Sequence, residues 1–136
     1  MIVVDASALV EAALRRRGSA AAADRLFADG ADLHAPHHID VEVLSAFRGL
    51  VRRGVLTAAD ARLAIDFLAV VLIHRHELKP LHDRVWALRQ NFSSYDGAYV
   101  ALAEALGAPL VTCDARMART PGHAAKIEFV AVGAAE

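Results

Sequence analysis

The sequence predicts an α/β protein, a three-layer sandwich in which helices cover both faces of a parallel sheet of four or five strands. Three features predict it. Ile2-Val3-Val4 is a β-branched run with no polar alternation, which suits a strand buried on both faces. The run ends on Asp5, and a helical pattern starts at once through Leu9, Val10, Ala13 and Leu14. Short apolar runs then recur between amphipathic segments, the rhythm of successive βαβ units.

Along the chain, Gly18-Ser19 breaks the first helix, and Ser19 is placed to cap a short Ala-rich helix ending near Gly30. Ala31 to Ala35 reads as a second strand, closed by Pro36. From about His37 to Arg53, Val43, Leu44, Phe47, Leu50 and Val51 mark one apolar helix face, stopped by Gly54. Thr57 to Asp60 resembles a capping box for the next helix. That helix passes into a third strand near Val70 to His74, where the apolar residues become continuous. Lys79-Pro80 opens a helix carrying Leu81, Val85, Trp86 and Leu88. Another runs from Tyr95 to Leu106, with Gly107 as its stop. Pro109 to Thr112 is the fourth strand, Ala115 to Arg119 one helical turn, and Ile127 to Val132 the last strand.

The 136 residues suit a single domain, 1–136, and 56% hydrophobic residues supply its core. No apolar stretch reaches the roughly 18 residues needed to span a membrane. The first strand has no basic region before it, so it does not read as a signal peptide. One cysteine, Cys113, excludes an internal disulfide and agrees with a reducing cytoplasm. A net charge of −1 does not mark a nucleic-acid binder by bulk charge. The distribution says more. Arg15, Arg16 and Arg17 are consecutive, Arg52 adjoins Arg53, and Arg116 lies near Arg119. Arginine suits bidentate phosphate contacts, although each cluster taken singly is equally a solvated helix face.

Four of the sixteen acids interrupt or abut strongly apolar segments. Asp5 and Asp114 each follow a strand and precede a helical turn. In a parallel sheet this brings both carboxylates to one edge, where open α/β sheets bind ligands. Glu42 shares a helical stripe with the small Ala46 and Gly49, which lets it be carried inward. Asp96 lies in the first turn of its helix. Singly, Asp5 and Asp114 read as N-caps, Asp96 as the partner of a cap at Ser93, and Glu42 as a surface residue. Together they make a set that repels itself unless a cation intervenes. Oxygen ligands without Cys or His suit Mg²⁺ or Mn²⁺. Such a site fits phosphodiester hydrolysis.

At these residues the chain resembles PIN-domain ribonucleases, most closely the VapC-type toxins of type II toxin–antitoxin systems. The segments are Ile2 to Leu9, Val41 to Ala46, Asn91 to Ala103 and Leu110 to Ala118, in family order. The resemblance implies a PIN-like sandwich and a Mg²⁺- or Mn²⁺-dependent endoribonuclease. The family's acidic positions fall on Asp5, Glu42, Asp96 and Asp114. Asp5 and Asp96 are then expected as direct ligands, with Asp114 and Glu42 completing the site directly or through water. Ser7 and Thr112 offer supporting hydroxyls. Arg15, Arg16, Arg17, Arg116 and Arg119 are expected to hold RNA. A homodimer, a cognate antitoxin and a cytoplasmic location are also implied. Asn91 matches a polar family position without an assigned role. Gly97 departs mildly, standing where a larger small residue is commoner.

Other readings fit less well. A haloacid-dehalogenase-like phosphatase wants Asp-x-Asp after the first strand, and this chain has Asp5-Ala6-Ser7. A receiver-like phosphotransfer protein wants a lysine at a late strand end, and Lys79 and Lys126 are not so placed. A non-catalytic binding module would not require the four acids. His34, His37, His38, His74 and His76 lack cysteines or a helical pair, so zinc is not expected. Cys113 reads as a small buried thiol. Trp86, Phe47 and Phe67 suit the core or an oligomer interface.

Overall fold

The computed structural model describes residues 1–15 and 20–132. Its strands are β1 (Ile2–Val4), β2 (Leu33–Pro36), β3 (His74–His76), β4 (Leu110–Thr112) and β5 (Ile127–Phe129). Its helices are α1 (Ala6–Leu14), α2 (Ala20–Leu26), α3 (Ile39–Arg52), α4 (Ala58–Val70), α5 (His82–Ala87), α6 (Ser94–Leu106) and α7 (Ala115–Arg119). A 3-10 turn at Lys79–Leu81 leads into α5. The Ser19 cap lies outside the described residues.

All strand pairs are parallel, in the order β3-β2-β1-β4-β5. The strand at the centre, β1, is the earliest of the five in sequence. Val3 and Val4 are fully buried and Ile2 nearly so. Successive strand residues point to opposite faces, so burial of all three requires cover on both. Helix α6 packs on β1, β2 and β4, with α5 beside it, while α1 gathers α2, α3 and α4. Chain order runs outward from β1 to β3 on one side and from β4 to β5 on the other. The reversal between β1 and β4 is the switch point of the sheet.

The elements are held by ordinary means. Thr57 Oγ1 accepts from the Asp60 amide at 3.1 Å and starts α4. Gly107, at φ +61°, closes α6 in the left-handed conformation that costs glycine little. Bidentate ion pairs tie Arg25 of α2 to Glu128 of β5, and Arg84 of α5 to Glu104 of α6.

The third strand is displaced from its expected place. Helix α4 continues to Val70, and Val70 and Leu72 are exposed at 81% and 76%. The ladder begins only at His74, paired with His34. An edge strand flanked on one side needs no apolar run, so the polar His74-Arg75-His76 serves. Two side chains also leave the core. Leu44 is half exposed, and Trp86 lies on the surface with Arg89 stacked 4.5 Å over its ring. Phe47 is buried as expected.

Candidate active site

Asp5 stands at the carboxyl end of β1 and Asp114 just beyond β4, so the two flank the switch point. Each also caps the helix that follows. The Asp5 carboxylate accepts from the Ala8 amide at 3.0 Å, and that of Asp114 from the Arg116 amide at 2.9 Å. The capping and site readings of these residues are therefore compatible.

Asp5 is the fixed point. It is 4% exposed, and neutral donors hold both of its oxygens. Ser7 Oγ donates to Oδ1 at 2.7 Å, and Thr112 Oγ1 donates to Oδ2. Those hydroxyls are themselves held: Ser7 Oγ accepts from the Cys113 amide and Thr112 Oγ1 from the Asp114 amide, both at 3.0 Å. Ser7 and Thr112, the residues expected to offer supporting hydroxyls, form a hydroxyl bridge from Asp5 at the end of β1 to the end of β4. Burial pushes the Asp5 carboxyl above its usual range, against the lowering effect of these hydrogen bonds, and the charge of Asp114 adds to the rise.

The opposite wall comes from helices. Ser93 Oγ caps α6 by accepting from the Asp96 amide, which fixes Asp96 in the first turn. Asp96 Oδ2 accepts from Arg116 Nη2 at 2.9 Å, and the same nitrogen lies 3.2 Å from Asp114 Oδ2. One guanidinium therefore spans two acids. Glu42, half-buried on α3, accepts from Tyr99 Oη at 2.6 Å and lies 3.2 Å from His38 Nε2. That nitrogen also meets the Tyr95 carbonyl. Burial opposes ionisation of Glu42, but the bonds from His38 and Tyr99 outweigh it and hold its carboxyl below the usual range. The bond to Glu42 raises the His38 imidazole. The Tyr99 phenol is raised by burial, by Glu42, and by the charges of Asp5 and Asp96. It stays protonated and can only donate to Glu42.

Asp5, Asp114 and Asp96 are thus linked through Thr112 and Arg116, while Glu42 is held separately by Tyr99 and His38. They do not crowd onto one point. Among the described residues, the group whose ligand atoms all lie within 4.8 Å of one another is Asp32, His34 and His74. The sequence does not point to Tyr99, and it brings in His38 only for the zinc reading. An aromatic on an apolar helix face reads as core, and Tyr99 is indeed buried to 1%. Only its hydroxyl reaches the site.

The arginines divide. Arg116 is within the site, and Arg119 is exposed on the same short helix. Arg15 ends α1 with φ 47° and lies 5.6 Å over the Phe27 ring. Arg16 and Arg17 lie outside the described residues. Asn91 packs its amide against Gly122, leaving no room there for a Cβ. Cys113 is half-buried, and burial with the charges of Asp5 and Glu11 pushes its thiol up to about 11. It is not a thiolate nucleophile.

Residues 2–123 match the PIN domain family. The chain is 46% identical to Ribonuclease VapC12 of Mycobacterium tuberculosis over 96% of its length and 100% of that protein. It is 45% identical to Ribonuclease VapC9 of the same organism, over 88% of this chain and 91% of that one. The crystal structure of PAE2754 from Pyrobaculum aerophilum superposes with a TM-score of 0.67 at 26% identity, covering 93% of this chain and 81% of the other. M. tuberculosis VapC20, described as a sarcin-ricin loop cleaving toxin, shares the fold with a TM-score of 0.63 at 17% identity, over 87% and 93% of the two chains. With the strand-end acids at the switch point and this likeness along nearly its whole length, the chain belongs to the PIN-domain family and, within it, to the VapC ribonucleases.

Proposed function

We propose that this chain is an endoribonuclease toxin that hydrolyses RNA phosphodiester bonds with the help of Mg²⁺ or Mn²⁺. The observation that carries the reading is the pair of strand-end acids Asp5 and Asp114 at the switch point, with Arg116 joining Asp114 to Asp96 of α6. The donor set suits a hard divalent cation, because it offers carboxylate and hydroxyl oxygens. The arginine bridge supports the same reading, since two of these acids already accept one shared positive charge. Asp5 and Asp96 would hold the ion directly, with Asp114 and Glu42 completing its shell. Bound there, a divalent cation polarises a phosphoryl oxygen and lowers the pKa of a bound water.

The chain's own residues supply the rest. Ser7 and Thr112 keep Asp5 in one orientation. Tyr99 and His38 hold Glu42 ionised, so that its free lone pairs can orient a water or take its proton. Arg116 can release its acids and donate two N–H groups to the scissile phosphate, and Arg119 lies beside it for the flanking backbone. A cognate antitoxin and a second copy of the chain are the expected partners. Exposed Leu63 and Phe67 on α4 support this, because with Leu14 and Leu56 they line an apolar cleft of about 410 Å³.

Single-stranded RNA incubated with the purified chain and Mg²⁺ or Mn²⁺ should be cut internally, and EDTA should stop the reaction. Asp96→Ala should abolish cutting with an unchanged far-UV circular dichroism spectrum. Wild-type cutting by that variant would overturn the site.

A further inference from the structure

A second cluster of titratable side chains lies at the other end of the sheet. Asp32 immediately precedes β2, its carbonyl accepting from the Ile2 amide at the amino edge of β1. Asp5 leaves the opposite, carboxyl edge of that strand. The parallel register sets His34 directly beside His74, and their rings stack at 4.8 Å. The Asp32 carboxylate reaches both: Oδ2 lies 3.0 Å from His34 Nε2 and Oδ1 lies 3.2 Å from His74 Nε2. His76, two residues along β3 and on the same face, places its Nε2 2.9 Å from the other ring nitrogen of His34.

We propose that Asp32, His34 and His74 form a second metal site, selective for a borderline divalent cation such as Zn²⁺ and separate from the nuclease carboxylates. The three donor atoms already lie within 4.8 Å of one another, so small side-chain rotations close them to the spacing of a tetrahedral shell. Two imidazoles and one carboxylate favour Zn²⁺ over the Mg²⁺ that oxygen-only sites take. His34 is buried on the sheet, whereas His74 and Asp32 are about half exposed, which gives one rigid ligand and an entry path. His76 fits as the supporting partner. With Nε2 of His34 on the metal, Nδ1 carries the proton and donates it to His76, which fixes the tautomer and the ring. The ion would clamp edge strand β3 to β2.

The test is a Zn²⁺ titration of the full chain at saturating Mg²⁺, followed by calorimetry and by a parallel Co²⁺ titration read in the visible spectrum. One equivalent of Zn²⁺ should bind, and Co²⁺ should give the intense bands of a four-coordinate nitrogen–oxygen site. His74→Ala and Asp32→Asn change exposed side chains, and each should weaken Zn²⁺ binding at least about tenfold. Asp96→Asn should leave it unchanged. Equal binding by His74→Ala and the parent chain would overturn the proposal, as would loss of the Zn²⁺ equivalent in Asp96→Asn. Imidazole ¹⁵N shifts of His34 and His74 on adding Zn²⁺ give a readout independent of nuclease activity. Unmoved shifts would also overturn it.

Discussion

The two walls of the nuclease site hold negative charge by opposite means. On the strand side, Asp5 is buried among neutral donors, with Ser7, Thr112 and the Ala8 amide filling its oxygens. On the helix side, Asp96 and Asp114 are partly open to solvent, and the exposed cation of Arg116 holds them. The first arrangement fixes a position and costs stability, because a desolvated carboxylate is penalised when ionised. The second costs little and is readily exchanged, because an exposed arginine pair is weak and screened. If the site binds a cation and a polyanion in turn, as proposed, it would benefit from both: one carboxylate that is held in place, and one counter-charge that can leave.

The largest effect expected from this contrast is at Asp5. Asp5→Asn should lower RNA cleavage by on the order of 10²-fold or more, through loss of a fixed anionic ligand. Its stability should move the other way. The folded-state pKa of Asp5 is raised, so its ionised form burdens the fold. That burden is absent below the ordinary carboxylate range, grows as pH rises, and is complete above the folded-state pKa. In EDTA, the melting temperature of Asp5→Asn should therefore match the parent at low pH and exceed it at pH 8. A lower melting temperature at pH 8 would mean that the hydroxyl bridge, not desolvation, governs this residue.

Tyr99→Phe sharpens the comparison from within the core. It removes one donor to Glu42 and leaves His38 as the other. Denaturant unfolding should show a loss of about 0.5–1.5 kcal/mol, and turnover should fall roughly tenfold, as for partners that orient a ligand. Full activity would show that Glu42 is not required in one orientation. The smallest effect belongs to the helix side. Arg116→Ala removes a competitor for Asp96 and Asp114, so calorimetry should show Mg²⁺ binding a few-fold tighter. RNA affinity should fall, with its salt slope reduced by about 1. Unchanged Mg²⁺ binding would break the account of Arg116 as an exchangeable counter-charge.

What could be read from the sequence follows how local each signal is. Ile2-Val3-Val4-Asp5 and Leu110-Val111-Thr112-Cys113-Asp114 announce themselves, because burial on both faces demands continuous apolar residues and the acid that ends each run stands out. The third strand does not, because an edge strand can be polar while an apolar helix end imitates a strand. The links from Tyr99 to Glu42 and from Arg116 to Asp96 join residues far apart in the chain. Neither residue differs by type from an ordinary core aromatic or surface arginine. The Asp32, His34 and His74 group depends on a strand register that places His34 opposite His74, across forty positions of sequence. The lack of cysteines or a helical His pair argues against zinc there, and the carboxylate that completes the group sits between Ala31 and Leu33 with no following helix start to mark it.

The hydroxyl bridge carries a consequence for the life of the polypeptide. Asp5 is made well before Thr112, and the bond between them closes a sequence separation of 107. Until β4 has joined β1, Asp5 has only its local partners Ser7 and Ala8, and Asp114 has no sheet to stand on. Contacts of such separation form late, because the loop they close must first be gathered. A chain that has not yet paired β4 with β1 therefore lacks the bond that fixes Asp5 and the strand end that carries Asp114. The arrangement around Asp5 is therefore complete only once β4 is in place beside β1.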